Sequence, residues 1–216
     1  MSYFQYIDNG EGPVKLFIGG LHGNEGKTSL KFIKRIKDED LSCGQFYFYN
    51  FDKTPYVSTI KKEFYSTKIG KKVLELIRDL KPDFYTELHC YDLKNYNKLI
   101  SIERYEKTGI PPLIKLGNHV LVSSVSPLIR MTYFSAETVC KTLEFPCFEK
   151  LNPEIAGRYD FNMARAIETY EELLKLILKS SSRQDFERKM MIRYSEQVHL
   201  AMEYAQKVFG KDFPPY

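Results

Sequence analysis

The residues best suited to chemistry lie in one short run near the start of the chain, Gly-Gly-Leu-His-Gly-Asn-Glu at positions 19–25. His22 and Glu25 are three residues apart, and imidazole nitrogens and carboxylate oxygens are ordinary ligands of Zn²⁺. The run lies between a strand-like and a helix-like pattern, and its glycines suit a tight corner because they tolerate positive φ. We therefore predict two ligands of a metal-dependent hydrolase here, with Asn24 as a candidate hydrogen-bonding neighbour of the site.

His89 is the candidate for the third ligand. It ends the strand-like run 83–89, and open α/β sheets bind ligands at the carboxyl ends of their strands, where His22 also lies. Glu87 precedes His89 by two residues, so both side chains point to one face of the strand. A ligating histidine usually donates its second N–H to a carboxylate or carbonyl, which makes Glu87 a candidate partner. A solvated acid at the strand end is the alternative interpretation.

The other two of the four histidines are expected to be structural. His119 begins its strand, which would place it at the opposite edge of the sheet. His199 lies within a helical pattern beside an apolar stripe. Neither position favours a ligand of the same metal.

Glu144 is the candidate general base. It lies between two large apolar residues in the strand-like run 141–145, and Pro146 ends the strand directly afterwards. A carboxylate within such a run is costly to bury unless it is paired or used, and the end of the strand again places it at the sheet edge. A surface carboxylate is the alternative.

The elements that must position these residues alternate along the first 150 residues, as in an α/β layer structure with a mostly parallel or mixed central sheet and flanking helices. We predict strands at residues 3–7, 14–18, 45–51, 84–89, 98–102, 119–125 and 141–145. We predict helices at residues 27–36, 68–80, 112–116 and 136–140.

The last third of the chain changes to helical periodicity. Apolar residues recur at helical spacing from 155 to 177 and again from 186 to 209, with a serine-rich break at 180–182 between them. We predict a C-terminal helical hairpin over 152–216 that packs on the α/β core of 1–150. The length of 216 residues fits one domain, 1–216.

Composition narrows the class of protein. The formal charge of +4 is spread along the chain without the dense basic stripe of a nucleic-acid surface, and no apolar run approaches the roughly 20 residues that span a bilayer. The four cysteines form no C-x-x-C pair and no signal peptide is recognisable, which predicts free thiols and a cytoplasmic location. Cys90 and Cys147 adjoin the candidate site, but small buried hydrophobic residues are the favoured interpretation.

These residues together resemble the zinc carboxypeptidase superfamily, in its succinylglutamate desuccinylase/aspartoacylase branch. The run at 19–25 is similar to the first metal motif of that branch, and Glu87-Leu88-His89 resembles its acidic-Leu-His motif, with Glu where Asp is commoner. Thr142-Leu143-Glu144 resembles the late strand that bears its general base. The motifs follow the family's order between about residues 14 and 150. The resemblance implies the fold of that superfamily and bound Zn²⁺, in a small, divergent, archaeal branch of unassigned substrate.

The chain departs from the family pattern at two points. Members usually carry an Asn-Arg-x-Phe segment whose arginine grips the substrate, whereas this chain has Lys61-Lys62-Glu63-Phe64, with Lys62 at the arginine's place. Because lysine is a point charge rather than a bidentate fork, either the substrate differs or another cation, Arg104 or Arg130, takes this role. The chain also lacks room for the C-terminal β-domain of aspartoacylase-type enzymes.

The resulting hypothesis is hydrolysis of an amide bond in a small N-acylated or carboxylate-bearing substrate. Zn²⁺ would lower the pKa of a water and polarise the carbonyl, while Glu144 would carry the proton to the leaving amine. A metallocarboxypeptidase that acts on short peptides would use the same residues. A non-catalytic protein that retains the fold and a thiol enzyme that pairs Cys90 with His89 are further alternatives, and the oligomeric state stays open.

Overall fold

The computed structural model describes residues 3–210 and is built on a seven-stranded sheet. The strands are β1 Tyr3–Asp8, β2 Val14–Gly19, β3 Gln45–Asn50, β4 Phe84–Tyr91, β5 Ile114–Gly117, β6 Val120–Ser123 and β7 Val139–Pro146. Their order across the sheet is β1-β3-β2-β4-β7-β6-β5.

Helices cover both faces of this sheet. They are α1 Gly26–Ile33, α2 Lys68–Leu80, α3 Tyr96–Ile100, α4 Glu103–Thr108, α5 Pro127–Tyr133, α6 Pro153–Arg158, α7 Met163–Leu178 and α8 Arg183–Phe209. Short 3₁₀ turns lie at Asp38–Asp40, Lys62–Ser66, Leu93–Asn95 and Phe148–Lys150. No helix within residues 3–210 is long and apolar enough to cross a lipid bilayer.

The centre of the sheet is parallel and its borders are antiparallel. Strands β3, β2, β4 and β7 run in the same direction, so their carboxyl ends meet at one edge. Every residue of β4 is buried, as expected for a parallel strand covered on both faces. β1 pairs antiparallel with β3, β6 with β7, and β5 with β6. The fold is therefore the mixed α/β class that the sequence predicts, with the C-terminal helices in place.

Two apolar layers hold the helices on the sheet. On one face, Phe32 of α1 packs against Phe145 of β7 and Tyr170 of α7, with ring centroids 4.8 and 4.1 Å apart. On the other face, α2 and α5 bury their apolar sides against β2 and β4. The strands thus present alternate side chains to two separate cores.

A buried lysine fixes the C-terminal hairpin to the sheet. Lys15 of β2 is fully buried, and its Nζ donates to the carbonyls of Ile177, Leu178 and Ser180 at 2.9, 2.6 and 2.6 Å. These carbonyls lie at the end of α7, where helical C=O groups lack intrahelical donors and the helix dipole favours a cation.

Most of the long helices and strands confirm the sequence prediction, whereas the predictions for three short segments were wrong. Residues 98–102 were predicted as a strand, but α3 covers Tyr96–Ile100. Residues 112–116 were predicted as a helix, but Ile114–Gly117 forms β5 because β6 supplies an antiparallel partner. Residues 136–140 were predicted as a helix, but this segment is a turn that leads into β7. Periodicity does not separate helix from strand in such short apolar runs. Helices α4 and α5 were not predicted.

The predicted position of His119 was also wrong. Because β6 runs antiparallel to β7, its amino end lies at the edge where β4 and β7 end. The His119 ring packs against the rings of Tyr96 and Phe161, with centroids 4.5 and 5.7 Å apart. It lies outside the cluster of candidate metal ligands among the described residues.

Candidate metal centre

His22 and Glu25 lie on the corner between β2 and α1. The backbone N–H of His22 donates to the Glu25 carboxylate at 3.1 Å, and the N–H of Glu25 donates to the His22 carbonyl at 3.1 Å. Gly20 has φ +75°, and a Cβ at Gly20 or Gly26 would lie 1.9 Å from the carbonyl oxygen of Phe51. Only glycine permits this close approach, which brings the histidine and glutamate side chains to one side of the corner.

His89 completes a cluster of three possible ligands with this corner. One ligand atom each from His22, Glu25 and His89 lies within 4.8 Å of the others. The Nδ1 atom of His89 is 3.1 Å from Oε2 of Glu25, and the His22 and His89 rings stack with centroids 4.9 Å apart. Nδ1 of His22 is buried and has no hydrogen-bond partner within the part of the chain that the structure describes. Two imidazoles, one of them with an orphaned buried nitrogen, and a carboxylate fit a Zn²⁺ ion.

Glu87 lies on the other side of the His89 ring. Its Oε2 is 3.1 Å from Nε2 of His89, and its Oε1 accepts a hydrogen bond of 2.9 Å from the hydroxyl of Tyr85. Tyr85, Glu87 and His89 alternate along β4 and so share one face of the strand. The geometry suits a tautomer in which Nε2–H donates to Glu87 and Nδ1 points to the ligand cluster.

The charges around the cluster favour a bound cation. Burial lowers the pKa of His89, but the carboxylates of Glu25 and Glu87 raise it, and the net pKa lies well above the ordinary value. Burial and the neighbouring His89 lower the pKa of His22. The two carboxylates thus favour positive charge at His89, which is the kind of charge that a bound cation would supply, while the His22 imidazole stays neutral and available as a ligand.

Glu144 lies beside His89 because the two residues are paired in register on the parallel strands β4 and β7. Its Oε2 atom is buried without a hydrogen-bond partner among residues 3–210, on the wall of the same cavity as the cluster. Burial raises the pKa of Glu144 to about 7, with Glu25 adding to this effect and His89 and Arg104 opposing it. A carboxyl group with this pKa can both accept and return a proton near neutral pH.

A cavity of about 370 Å³ opens over these residues. Arg104 of α4 and Lys98 of α3 lie on its wall, and the Arg104 guanidinium also donates to the carbonyl of Pro111. Arg104, one of the two arginines that the sequence offers in place of Lys62, therefore lies on the cavity wall. Lys98 was not predicted, because its segment was assigned to a strand and no motif marks it.

The other candidate residues lie outside the cluster of three possible metal ligands. Lys62 is exposed in the 3₁₀ turn and does not line the cavity, although the nearby Phe64 ring contacts the His22 ring edge at 5.8 Å between centroids. Arg130 is fully buried and donates to the carbonyls of Ser135, Ala136 and Thr138, which hold the turn before β7. The Asn24 side chain is exposed.

The prediction of four free thiols was wrong. Cys90 and Cys147 form a disulfide, whereas Cys43 and Cys140 are free. The two half-cystines are 57 residues apart in sequence, but adjacent strands bring their Cα atoms to 4.9 Å. Cys90 follows His89 directly, so the disulfide joins β4 to the end of β7 beside the candidate site.

Comparison with known proteins places the chain in a family. Residues 10–210 match the family described as "Uncharacterized protein conserved in archaea (DUF2119)". The chain belongs to this family. It is 32% identical to an uncharacterized protein of Methanocaldococcus jannaschii, MJ0501, over an alignment 217 positions long that covers 96% of each chain.

A solved structure of an aspartoacylase family protein from Mesorhizobium loti is similar at a TM-score of 0.43 and 15% identity. The match covers 83% of this chain, and it spans only 62% of the length of that structure.

Proposed function

We propose that this chain is a zinc-dependent hydrolase that cleaves an amide bond in a small N-acylated or carboxylate-bearing substrate. The observation that carries the proposal is the convergence of His22, Glu25 and His89 within 4.8 Å beside the unpartnered Oε2 of Glu144. The motif resemblance to the succinylglutamate desuccinylase/aspartoacylase branch supports the same chemistry. It covers the ligand corner, the third ligand and the base, in that order along the chain.

His22, Glu25 and His89 would hold the ion, and Zn²⁺ bound there would supply Lewis acidity toward a water and the substrate carbonyl. Glu87 fixes the orientation of the His89 ring through the hydrogen bond to Nε2. The Glu144 carboxylate accepts a proton from the attacking water and returns it to the leaving nitrogen, so that water and amide become a carboxylate and a free amine.

Arg104 is the cation best placed to bind the substrate. It lies on the cavity wall with Glu144. Burial lowers the pKa of Arg104, and the nearby charge of Glu144 partly opposes this effect. Its guanidinium remains charged at any physiological pH and matches a carboxylate in two hydrogen bonds. We assign to it the substrate carboxylate, with Lys98 as a second positive charge on the same wall.

The test combines metal analysis with turnover. We expect stoichiometric zinc in the purified protein and hydrolysis of some member of a panel of N-acyl amino acids and short peptides. Glu144→Gln is expected to keep the zinc and to lower kcat by about 10²–10⁴-fold, the usual contribution of general acid–base catalysis. The matched control is Glu154→Gln, because Glu154 is an exposed helix carboxylate paired only with Arg158 among the described residues.

Each outcome separates the candidate functions. Cleavage of C-terminal residues from peptides, without deacylation, would assign a metallocarboxypeptidase. Zinc without turnover of any substrate in the panel would favour a non-catalytic metal-binding protein. Absence of zinc and of affinity for zinc would contradict the proposal, and full activity in Glu144→Gln would remove Glu144 from its assigned role.

A further inference from the structure

A second cavity, of about 100 Å³, lies between the C-terminal helix and the antiparallel border of the sheet. Strands β5 and β6 form one wall and α8 forms the other. Its lining is apolar for most of its extent and includes Ile114, Leu116, Val122, Phe186, Met190 and Val198. Lys141 is the charged residue among the described side chains that line it, and its ammonium lies over the Phe186 ring, 5.7 Å from the centroid.

This apolar cavity adjoins the cavity over the candidate metal centre. The two cavities share Ile110, Ser123, Ser124, Val125 and Pro127 as lining residues. These residues belong to the segment before β5 and to the segment that leads from β6 into α5. A substrate in the metal-centre cavity therefore has an apolar space as its immediate neighbour.

The course of α8 makes this space a built feature of the fold. The helix is interrupted at Tyr194, with φ −138° and ψ 48°, between Met190 and Val198, which both line the cavity. The interruption is held in place because the Tyr194 hydroxyl donates to Glu172 of α7 at 3.0 Å. Ligand sites are usually apolar clefts with a few polar groups, so an apolar cleft beside the candidate metal centre points to an occupant.

We propose that the apolar cavity receives the acyl chain of a substrate whose amide bond lies at His22, Glu25 and His89. The inference rests on the proposed function and narrows its substrate to N-acyl compounds with an aliphatic chain of medium length. A water-sized group needs about 10–15 Å³ of cavity volume, so the cavity of about 100 Å³ holds roughly seven to ten such groups in a row. This corresponds to an acyl chain of about six to ten carbons. The polar head of the substrate stays in the larger cavity, near Arg104.

The test is a chain-length series of N-acylglycines, from acetyl to decanoyl, with the wild-type protein. Burial of each methylene is expected to raise kcat/KM about fourfold until the cavity is filled. Calorimetric titration of the inactive Glu144→Gln variant gives a second measurement, in which N-decanoylglycine is expected to bind at least tenfold more tightly than N-acetylglycine.

Ala201→Phe places a ring into the cavity and is expected to abolish the preference for decanoyl over acetyl in both measurements. Gln206→Phe, on the exposed side of the same helix, is the matched control and is expected to keep that preference.

Hydrolysis of the acetyl compound without a gain for longer chains would overturn this inference and leave the proposed function intact. No hydrolysis of any acylglycine by the zinc-containing protein would overturn this inference, whereas absence of zinc would overturn the proposed function itself. If Ala201→Phe keeps the preference for decanoyl over acetyl, the acyl chain binds outside this cavity, which would also overturn the inference.

Discussion

The imidazole of His89 lies between two carboxylates, 3.1 Å from Glu25 on one side and 3.1 Å from Glu87 on the other. The two contacts have different consequences. The Glu25 side faces the ligand cluster, whereas the Glu87 side fixes which ring nitrogen carries the proton. The strand alternation of Glu87 and His89 predicts a shared face, but only the folded structure shows which ring atom each carboxylate meets.

Replacement of Glu87 by Gln is expected to weaken zinc binding by about 10- to 100-fold, the usual cost of losing an outer carboxylate partner of a ligating histidine. The amide cannot supply the same negative charge to Nε2–H, so the ring is less basic and less firmly oriented. Competition with a chromophoric chelator measures this affinity. Glu106→Gln, an exposed carboxylate of α4, is the control, and unchanged affinity in Glu87→Gln would contradict an orienting role.

Sequence motifs did not identify which positively charged residue lines the cavity of the candidate site. Lys62 stands where the family arginine is expected in sequence, yet it is exposed and away from the cavity. Arg104 reaches the cavity from α4, a helix that the sequence analysis did not predict. Charged residues carry no periodic signal of their own, so which one faces a cavity depends on how the helices pack.

At the scale of elements, two adjacent parallel strands align the candidate ligand and the candidate base. The register of β4 and β7 pairs His89 with Glu144, and the next pair is Cys90 with Phe145. Each strand was predictable because it is a run of apolar residues between turn signals. Their adjacency was not predictable, because they are separated by 47 residues (from Tyr91 to Val139) that contain β5 and β6.

The attachment of α7 to β2 depends on the same kind of long-range contact. Lys15→Met is expected to lower the free energy of unfolding by about 2–4 kcal/mol, because the carbonyls of Ile177, Leu178 and Ser180 lose their buried donor. Urea unfolding followed by circular dichroism measures the change. Lys34→Met, on the exposed side of the chain after α1, should unfold at the wild-type urea concentration. A Lys15 variant as stable as wild type would show that the buried ammonium does not stabilise the hairpin.

At the scale of the whole molecule, the ligand cluster joins segments that are distant in sequence, since His22 and Glu25 precede His89 by more than sixty residues. A ligand that binds only the folded state stabilises it in proportion to its free concentration. Zinc at 100 times its Kd is therefore expected to stabilise the fold by about 2.7 kcal/mol.

For a chain of this length, that stabilisation corresponds to an increase in Tm of roughly 5–10 °C. Differential scanning calorimetry with zinc and with a chelator measures the difference. His22→Ala is expected to lose this increase, whereas His199→Ala, which is exposed on α8, is expected to keep it. An equal increase in both variants would place the zinc outside the cluster.

The sequence by itself determined the long elements and the types of residue at the candidate site. Apolar periodicity and the Gly-rich corner with His22 and Glu25 both depend on residues that are close together in sequence. Both can therefore be predicted from the sequence alone. Tertiary structure alone decided the pairing of Cys90 with Cys147, the direction of β6 and the entry of Arg104 into the cavity. Each of these depends on which distant segments become neighbours in the fold. The local sequence does not determine those long-range contacts.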